Sequence, residues 1–355
     1  MEHGGDIYTE GILKGRNLID FSSNINPLGV PKSFRDHIDE ALNVSNIYPD
    51  VEYRNLKNNI RDYLHREIVE DENIVLGNGA AEIIDLVIRN FKNICIVVPS
   101  FIEYEKNALK WNCNIIYSKL KDNMDFDYED IESKLKLSDA VIVGNPNNPN
   151  GNILDKKKFM KIVKYCNENG KTIIIDEAFI EFTGNEQYSF LNELENYKCI
   201  FMVRALTKFF GLPGIRFGYG ISTNKSLIRN IKINQNPWNI NCFAETAVKY
   251  VLKDRAYIHK SLKWISDERK FMKSQLNKIS IIDKIYDTYA NFILCKLKSV
   301  DSRTLYDECM ENGALIRKCN NYRGLDNNYI RLAVKDREKN QQMLDILRRI
   351  SINYS

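Results

Sequence analysis

Seven short apolar runs, separated by longer amphipathic stretches, occupy residues 73–240 of this 355-residue chain. The runs are rich in β-branched residues and lie at 73–76, 94–98, 114–118, 140–144, 172–176, 199–203 and 217–221. Helical patterns lie between them, among others at 80–90, 102–111 and 156–169. Near-continuous apolar strands that alternate with helices are typical of a sheet covered on both faces. The pattern therefore predicts an α/β fold with a mostly parallel, seven-stranded sheet.

The segments on either side of this region have a different pattern. A long charged helical pattern covers residues 244–278, and strands at 291–296 and 329–334 then mix with helices at 302–312 and 338–350. Residues 1–44 combine a proline-interrupted extended stretch with one helix. We therefore expect two domains. These are a large α/β domain at residues 45–244 and a smaller α+β domain formed by residues 1–44 and 245–355.

Composition excludes several classes of protein. The 51 basic and 47 acidic residues leave a net charge of +4, which argues against a protein that coats nucleic acid. No apolar run approaches the ~18 residues of a membrane span, and the first residues lack the apolar stretch of a signal peptide. The eight cysteines form no C-x-x-C pair, so we expect reduced thiols and no metal site. The chain is expected to be a cytoplasmic enzyme with a small-molecule substrate and no membrane or nucleic-acid partner.

Four segments with unusual residues follow predicted strands, where ligands collect in parallel sheets. Residues 77–82 open a helix, whose free N–H groups suit a phosphate. Residues 144–151, Gly-Asn-Pro-Asn-Asn-Pro-Asn-Gly, form a rigid polar loop. Asp176 ends a buried strand, and Lys208 stands beside two phenylalanines, eight residues before Arg216. Taken singly, each has a structural alternative: an ordinary turn, a rigid loop without a ligand, an ion pair or a solvated lysine.

Taken together, the four segments meet the requirements of pyridoxal 5′-phosphate, which needs a phosphate site, a hydrogen bond to its phenolic oxygen, a carboxylate for its ring nitrogen and a lysine for its aldehyde. Asn148, Asp176, Lys208 and Arg216 follow one another at intervals of 28, 32 and 8 residues. In these residues and spacings the chain resembles the fold-type I pyridoxal-phosphate enzymes of the aminotransferase class I/II group. The resemblance covers essentially the whole chain and implies that fold and that cofactor.

The resemblance also implies a role for each cofactor-binding residue. Lys208 is the catalytic amine that bonds to the aldehyde carbon, and Asp176 keeps the ring nitrogen protonated. Phe101 stacks on the ring, and Asn148 donates to the phenolic oxygen. The phosphate is held by Ala80, Ala81, Thr207 and Arg216. In the family a tyrosine of the other subunit also reaches this phosphate, and Tyr48 matches it, which implies a homodimer with shared active sites.

Two positions depart from the family's usual pattern. Asn150 stands where the family usually has threonine in Asn-Pro-Thr-Gly. We expect little effect, because Asn150 keeps a polar side chain in the turn. Phe179 replaces a tyrosine that donates to the phenolic oxygen in many relatives, so that oxygen has one fewer donor here.

The residues on the substrate side point to one branch of the family. His3-Gly4-Gly5-Asp6, the segment around Asn24, residues 235–241 and the segment 315–334 resemble the threonine-phosphate decarboxylases of cobalamin biosynthesis. The resemblance implies that Arg331 binds the substrate carboxylate. It places His3, Gly4, Asn24 and Arg317 around the substrate phosphate. The implied substrate is a phosphorylated amino acid, which loses carbon dioxide.

Two other functions remain open at this point. A histidinol-phosphate aminotransferase shares the cofactor-binding core, but its substrate has no carboxylate to lose and it typically lacks the His-Gly-Gly opening. A non-catalytic pyridoxal-phosphate sensor is the weaker alternative, because the enzyme pattern fills the chain. The choice between threonine phosphate and serine phosphate stays open, since one methyl group is worth only ~1 kcal/mol in a pocket.

Overall fold

The computed structural model describes residues 3–65 and 70–354. Its strands are β1 Ile19–Asp20, β2 Ile74–Gly77, β3 Asn93–Val98, β4 Asn114–Lys119, β5 Ala140–Gly144, β6 Thr172–Asp176, β7 Ile200–Ala205, β8 Gly218–Ile221, β9 Ile282–Ile285, β10 Phe292–Leu297, β11 Ala314–Leu315, β12 Arg317–Lys318 and β13 Tyr329–Ala333.

The α-helices are α1 Ile7–Glu10, α2 Lys32–Arg35, α3 Ile38–Asn43, α4 Arg54–Leu64, α5 Ala80–Ile88, α6 Ile102–Lys110, α7 Tyr128–Leu135, α8 Lys156–Glu168, α9 Lys225–Ile233, α10 Cys242–Val251, α11 Arg255–Leu276, α12 Ser302–Glu311 and α13 Arg337–Ser351. Six 3₁₀ segments lie at Ile12–Lys14, Asp71–Asn73, Ile180–Thr183, Glu186–Tyr188, Leu191–Glu195 and Ile352–Tyr354. None of the described helices has the length and hydropathy that crossing a bilayer requires.

The seven predicted strands form one sheet in the order β2-β8-β7-β6-β5-β3-β4. Only β8 runs antiparallel to its neighbours, β2 and β7. The prediction of a mostly parallel, seven-stranded sheet is therefore confirmed. Two apolar clusters cover its two faces, and β5 to β7 are buried along their whole length.

A second, antiparallel sheet has the order β12-β13-β10-β9, and β1 pairs with β11 in parallel. Both lie outside residues 45–244, where a smaller α+β domain is expected. The exact domain boundaries stay a prediction.

Two expectations about the helices were wrong. The helical pattern over 244–278 is not one helix, because Asp254 accepts a hydrogen bond from the backbone N–H of Tyr257 at 2.9 Å and starts α11 anew. Residues 3–44 hold three short helices instead of one. Pro31 begins the second of them, where its missing N–H costs nothing.

Candidate active site

A cavity of about 240 Å³ lies at the carboxyl edge of the seven-stranded sheet. Of the predicted site residues, it is lined by His3, Gly4, Asn24, Ala80, Ala81, Phe101, Asn148, Asp176, Thr207, Lys208, Arg216, Arg317 and Arg331. Tyr48 is the predicted site residue that does not line it. The structure thus brings together residues that are more than 300 positions apart in the chain.

The register of the large sheet explains this convergence. Gly144, where the polar loop starts, pairs with Asp176 on the neighbouring strand. Asp176 in turn pairs with Val203, shortly before Lys208. Because β5, β6 and β7 run parallel, the residues that follow them meet at one edge.

Lys208 has the electrostatics of a nucleophilic amine. Its side chain is partly buried, and its ammonium lies 6.0 Å from the centre of the Phe179 ring. Burial lowers the pKa of Lys208 to about 8, and the positive charges of Arg331 and Arg216 contribute to that lowering. A neutral amine is therefore accessible near physiological pH, as attack on an aldehyde requires.

Asp176 lies buried in the same cavity as this lysine and forms no ion pair among the described residues. One carboxylate oxygen accepts from the Tyr104 hydroxyl at 2.7 Å, and the other accepts from the backbone N–H of Ala178 at 3.0 Å. Burial raises the pKa of Asp176, while these hydrogen bonds oppose the rise. A buried carboxylate of this kind is stabilised by a cationic ligand, such as a protonated ring nitrogen.

The start of α5 forms an anion-binding cradle. The first turn leaves the N–H groups of Ala80 and Ala81 without an intrahelical acceptor, and no side chain of the described residues caps the helix. Gly79 has φ +84°, and a Cβ there would lie 2.3 Å from the Arg216 guanidinium. A Cβ on Gly218 would lie 2.4 Å from the Ala80 nitrogen. Glycine at both positions therefore lets an arginine and a helix start approach one point, which suits a phosphate.

These features fit pyridoxal 5′-phosphate. One cavity is lined by an amine of lowered pKa, by a buried carboxylate with no ion pair among the described residues, and by Ala80, Ala81 and Arg216 of the anion-binding cradle. Asn148 adds an amide whose Oδ1 already accepts from Tyr322 and Arg331, which leaves its Nδ2 as the donor for a phenolic oxygen. Phe101 and Thr207 line the same space.

Two arginines form the opposite side of the cavity. Arg317 on β12 pairs directly with Arg331 on β13, and their exposed fractions are 3% and 4%. Arg331 donates from Nη2 to the Ser22 carbonyl at 2.8 Å and from Nη1 to the Tyr322 hydroxyl at 3.1 Å, whereas its buried Nε has no hydrogen-bond partner among the described residues. Two like charges on directly opposite strand positions repel each other, and a bound anion reduces that repulsion.

His3, Gly4 and Asn24 of the N-terminal segment also line the cavity. His3 lies at its mouth, with Nε2 2.9 Å from a carboxylate oxygen of Glu103. A Cβ on Gly4 would lie 2.1 Å from the Ser22 carbonyl oxygen, so only glycine packs there. Asn24 is buried, and within the described part of the chain its Oδ1 has no hydrogen-bond partner. The pairing of His3 with a carboxylate was not predicted.

The two departures from the family pattern are accommodated differently. The side chain of Asn150 is fully buried, donates to the Met124 carbonyl at 2.8 Å and accepts from Asn147 at 2.8 Å, so it fixes the turn. Phe179 lines the cavity with a ring that packs on Phe292 at 5.1 Å.

Tyr48 lies outside this cavity, in another groove, and is 78% exposed. Its ring lies 4.9 Å from that of Trp238. Within one chain Tyr48 therefore does not reach the cofactor phosphate, and its predicted role across a subunit interface stays a prediction.

Sequence reasoning assigned no role to Tyr104, Glu103 and Tyr322, which contact Asp176, His3 and Arg331 respectively. Tyr104 follows Phe101 by three positions, and residues at this spacing lie on the same face of a helix. This spacing is a weak indication that Tyr104 lies near the cofactor site predicted for Phe101. Glu103 and Tyr322 meet their partners only through tertiary contacts.

Comparisons with known proteins agree with this geometry. The sequence model of the family "Aminotransferase class I and II" matches residues 16–347. The chain is 41% identical over 353 residues to a protein of Caldanaerobacter subterraneus subsp. tengcongensis named "Putative threonine-phosphate decarboxylase", covering 98% of this chain and 93% of that one. It is 30% identical to the threonine-phosphate decarboxylase of Salmonella typhimurium, covering 98% and 96%.

A solved structure is also similar. The histidinol-phosphate aminotransferase from Clostridium acetobutylicum superposes with a TM-score of 0.92 and 51% identity, covering 95% of this chain and 100% of that one. The predicted fold class is thereby confirmed. The names of these relatives include both a decarboxylase and an aminotransferase.

Proposed function

The chain belongs to the aminotransferase class I and II family of pyridoxal-phosphate enzymes, and we propose that within this family it decarboxylates O-phospho-L-threonine. The products are carbon dioxide and (R)-1-amino-2-propanol O-phosphate, for cobalamin biosynthesis. The observation that carries the proposal is the buried pair of arginines, Arg317 and Arg331, on directly opposite strand positions. A substrate with two neighbouring anionic groups, a carboxylate and a phosphate, matches that pair.

The cofactor is held by residues on the large-sheet side of the cavity. Ala80, Ala81, Thr207 and Arg216 bind its phosphate, Asn148 donates to its phenolic oxygen, and Phe101 stacks on its ring. Asp176 holds a proton at the ring nitrogen. When bound, pyridoxal 5′-phosphate supplies an electron-accepting ring that takes up the electron pair of the broken Cα–carboxylate bond.

The remaining residues orient the substrate and move its protons. Arg331 offers the carboxylate its Nε and the second hydrogen of Nη2, the edge of the guanidinium that the protein leaves open. Arg317, His3, the Gly4 N–H and Asn24 bind the phosphate. Lys208, whose pKa is lowered to about 8, returns a proton to Cα after carbon dioxide leaves.

We further propose that the enzyme is a cytoplasmic homodimer with shared sites. Ile47, Tyr48, Val51 and Trp238 expose large apolar surface near the groove that holds Tyr48. Such a surface is typical of a subunit contact. All eight cysteines are unpaired, which suits a reducing compartment.

A second candidate is transamination of histidinol phosphate. It is favoured by the 51% identity to a protein of that name. Histidinol phosphate has a phosphate but no carboxylate, so this substrate offers one anionic group to the two arginines, Arg317 and Arg331.

One assay separates the two candidates. The holoenzyme is incubated with O-phospho-L-threonine, and evolved carbon dioxide is measured with and without 2-oxoglutarate. We expect carbon dioxide and amine phosphate in both cases, with Lys208→Ala as the inactive control. Glutamate formation from histidinol phosphate and 2-oxoglutarate, without carbon dioxide from phosphothreonine, would assign the aminotransferase instead.

A further inference from the structure

Tyr322 contacts three residues of the cavity: Arg331, Asn148 and Arg317. It lies in the turn after β12 and is 5% exposed, and turn hydrogen bonds hold its backbone to Cys319 and Leu325. Its hydroxyl lies 3.1 Å from Nη1 of Arg331 and 3.2 Å from Oδ1 of Asn148. The Arg317 guanidinium lies over its ring, 5.2 Å from the centre.

The hydrogen bonds through this hydroxyl have a defined direction. An arginine can only donate, so Tyr322 accepts from Arg331. Its single proton is then available for Oδ1 of Asn148, which also accepts from Arg331 directly. Tyr322 thus fixes the orientation of the Arg331 guanidinium. It also fixes the orientation of the Asn148 side-chain amide in the cavity.

The ring of Tyr322 has a separate effect on Arg317. A guanidinium over an aromatic face is attracted by the ring, and the attraction grows when both groups are buried. The ring therefore helps to hold a second positive charge next to Arg331, at a fixed distance from it.

We propose that Tyr322 is a positioning residue that sets the geometry between the carboxylate-binding Arg331 and the phosphate-binding Arg317, and so determines which bond to Cα is broken. The inference rests on the proposed decarboxylase function. With both substrate ends anchored, rotation about the N–Cα bond is fixed. The Cα–carboxylate bond would then be the one that breaks: carbon dioxide would leave, and the electron pair would be taken up by the ring that pyridoxal 5′-phosphate supplies when Asp176 and Lys208 hold it. If the anchors loosen, Lys208 removes the Cα proton instead.

Equilibrium binding tests this geometry without turnover. The probes are inorganic phosphate, which needs one anchor, and 3-phosphooxybutanoate, which carries both anions of the substrate but no amine. Tyr322→Phe keeps the ring and loses the hydroxyl. By calorimetry on the holoenzyme we expect unchanged phosphate affinity and an about tenfold loss for 3-phosphooxybutanoate, since the lost hydrogen bond involves a charged group. Tyr322→Leu, which also loses the ring, should weaken both.

The second measurement, made in D₂O, compares two reactions of the substrate: exchange of the Cα proton and loss of carbon dioxide. In Tyr322→Phe the ratio of deuterium incorporated at Cα of the recovered O-phospho-L-threonine to carbon dioxide released should rise about tenfold over wild type. Tyr306→Phe is the matched control, because Tyr306 is a buried tyrosine with Lys318 over its ring at 4.0 Å, outside the cavity. That variant should leave both measurements unchanged.

The outcomes separate this inference from the proposed function. A wild type that releases no carbon dioxide overturns the decarboxylase function, while the binding comparison still tests Tyr322. Equal losses for the two probes in Tyr322→Phe, or a partition ratio equal to that of Tyr306→Phe, would show that Tyr322 only supports the fold.

Discussion

Single residues bring several buried charges together in the cavity. Lys208 lies near two arginines, Asp176 forms no ion pair among the described residues, and Arg317 stands opposite Arg331. Burying charged groups costs free energy. The proposed function accounts for this arrangement, because the proposed cofactor and doubly anionic substrate would supply opposite charges.

The lowered pKa of Lys208 predicts a pH-dependent stability effect. The pKa of Lys208 is about 8 in the folded chain and 10.5 ordinarily. Below pH 8 the amine is charged in both the folded and the unfolded chain, so the cost of burying the ammonium lowers the free energy of unfolding by its full amount. Between these values only the unfolded chain binds the proton, so stability rises with pH. Lys208→Met should therefore stabilise the apoprotein by about 2 kcal/mol at pH 7, and less towards pH 10. Urea unfolding at both pH values measures this.

The exposed Lys260 provides the control for that experiment. Lys260→Met should change stability little at either pH. An equal gain from Lys208→Met at pH 7 and pH 10 would contradict the lowered pKa.

The starts of two helices, α5 and α11, depend on short-range features of the chain. The start of α5 comes close to Arg216 only because Gly79 lacks a Cβ. Helix α11 starts at an Asp254 cap that interrupts an otherwise continuous helical pattern. Short-range backbone chemistry at both points decides where a helix begins.

Gly79→Ala should weaken cofactor binding by about tenfold or more, because the new methyl group displaces a guanidinium that makes charge-assisted hydrogen bonds. Titration of the apoprotein with pyridoxal 5′-phosphate measures the affinity. Gly170→Ala is the matched control, since Gly170 also has positive φ (+63°) but has nothing within 4 Å of a Cβ. It should cost about 1 kcal/mol of stability and leave cofactor affinity unchanged. Equal affinities in the two variants would refute the steric argument.

Asp254→Ala should lower the free energy of unfolding by about 1 kcal/mol, because the N–H of Tyr257 loses its acceptor. Asp254→Asn keeps an acceptor at the cap and should lose much less. Urea unfolding of the two variants gives the comparison. If Asn and Ala cost the same, the cap is not what stabilises the start of α11.

The complete active site is expected to need two chains. The thirteen predicted site residues that line the cavity come from one chain, whereas Tyr48 lies exposed in a separate groove beside a partly exposed Trp238. A second copy that packs on this surface would cover it and bring Tyr48 to the partner's phosphate site.

A mixed dimer tests shared sites. One chain carries Tyr48→Phe and the other Lys208→Ala. If Tyr48 acts across the interface, one site combines both lesions and the other has neither. The mixed dimer should then recover one site of near wild-type activity, measured as carbon dioxide release. Activity no higher than the mean of the two parent mutants would place Tyr48 in its own chain's site.

Local sequence patterns are sufficient to predict the large sheet and the cofactor side of the cavity. Strand runs such as 140–144 and 172–176 match β5 and β6, because burial on both faces of a sheet requires a continuous apolar run. Parallel strands place their ends together, so Asn148, Asp176 and Lys208 can be grouped from their positions in the chain. Periodicity does not reveal the break at Asp254, because there a single capping residue outweighs a long helical pattern.

The substrate side of the cavity depends on tertiary packing. Arg331 meets the Ser22 carbonyl across 309 positions, and Tyr322 meets Asn148 across 174. The opposition of Arg317 and Arg331 depends on the register of two short strands, β12 and β13, which have no periodic pattern to reveal it. Contacts of this kind arise when separate elements pack together. They are therefore absent from any local stretch of sequence, and the three-dimensional fold is what brings two positive charges, a tyrosine and a lysine to one cavity.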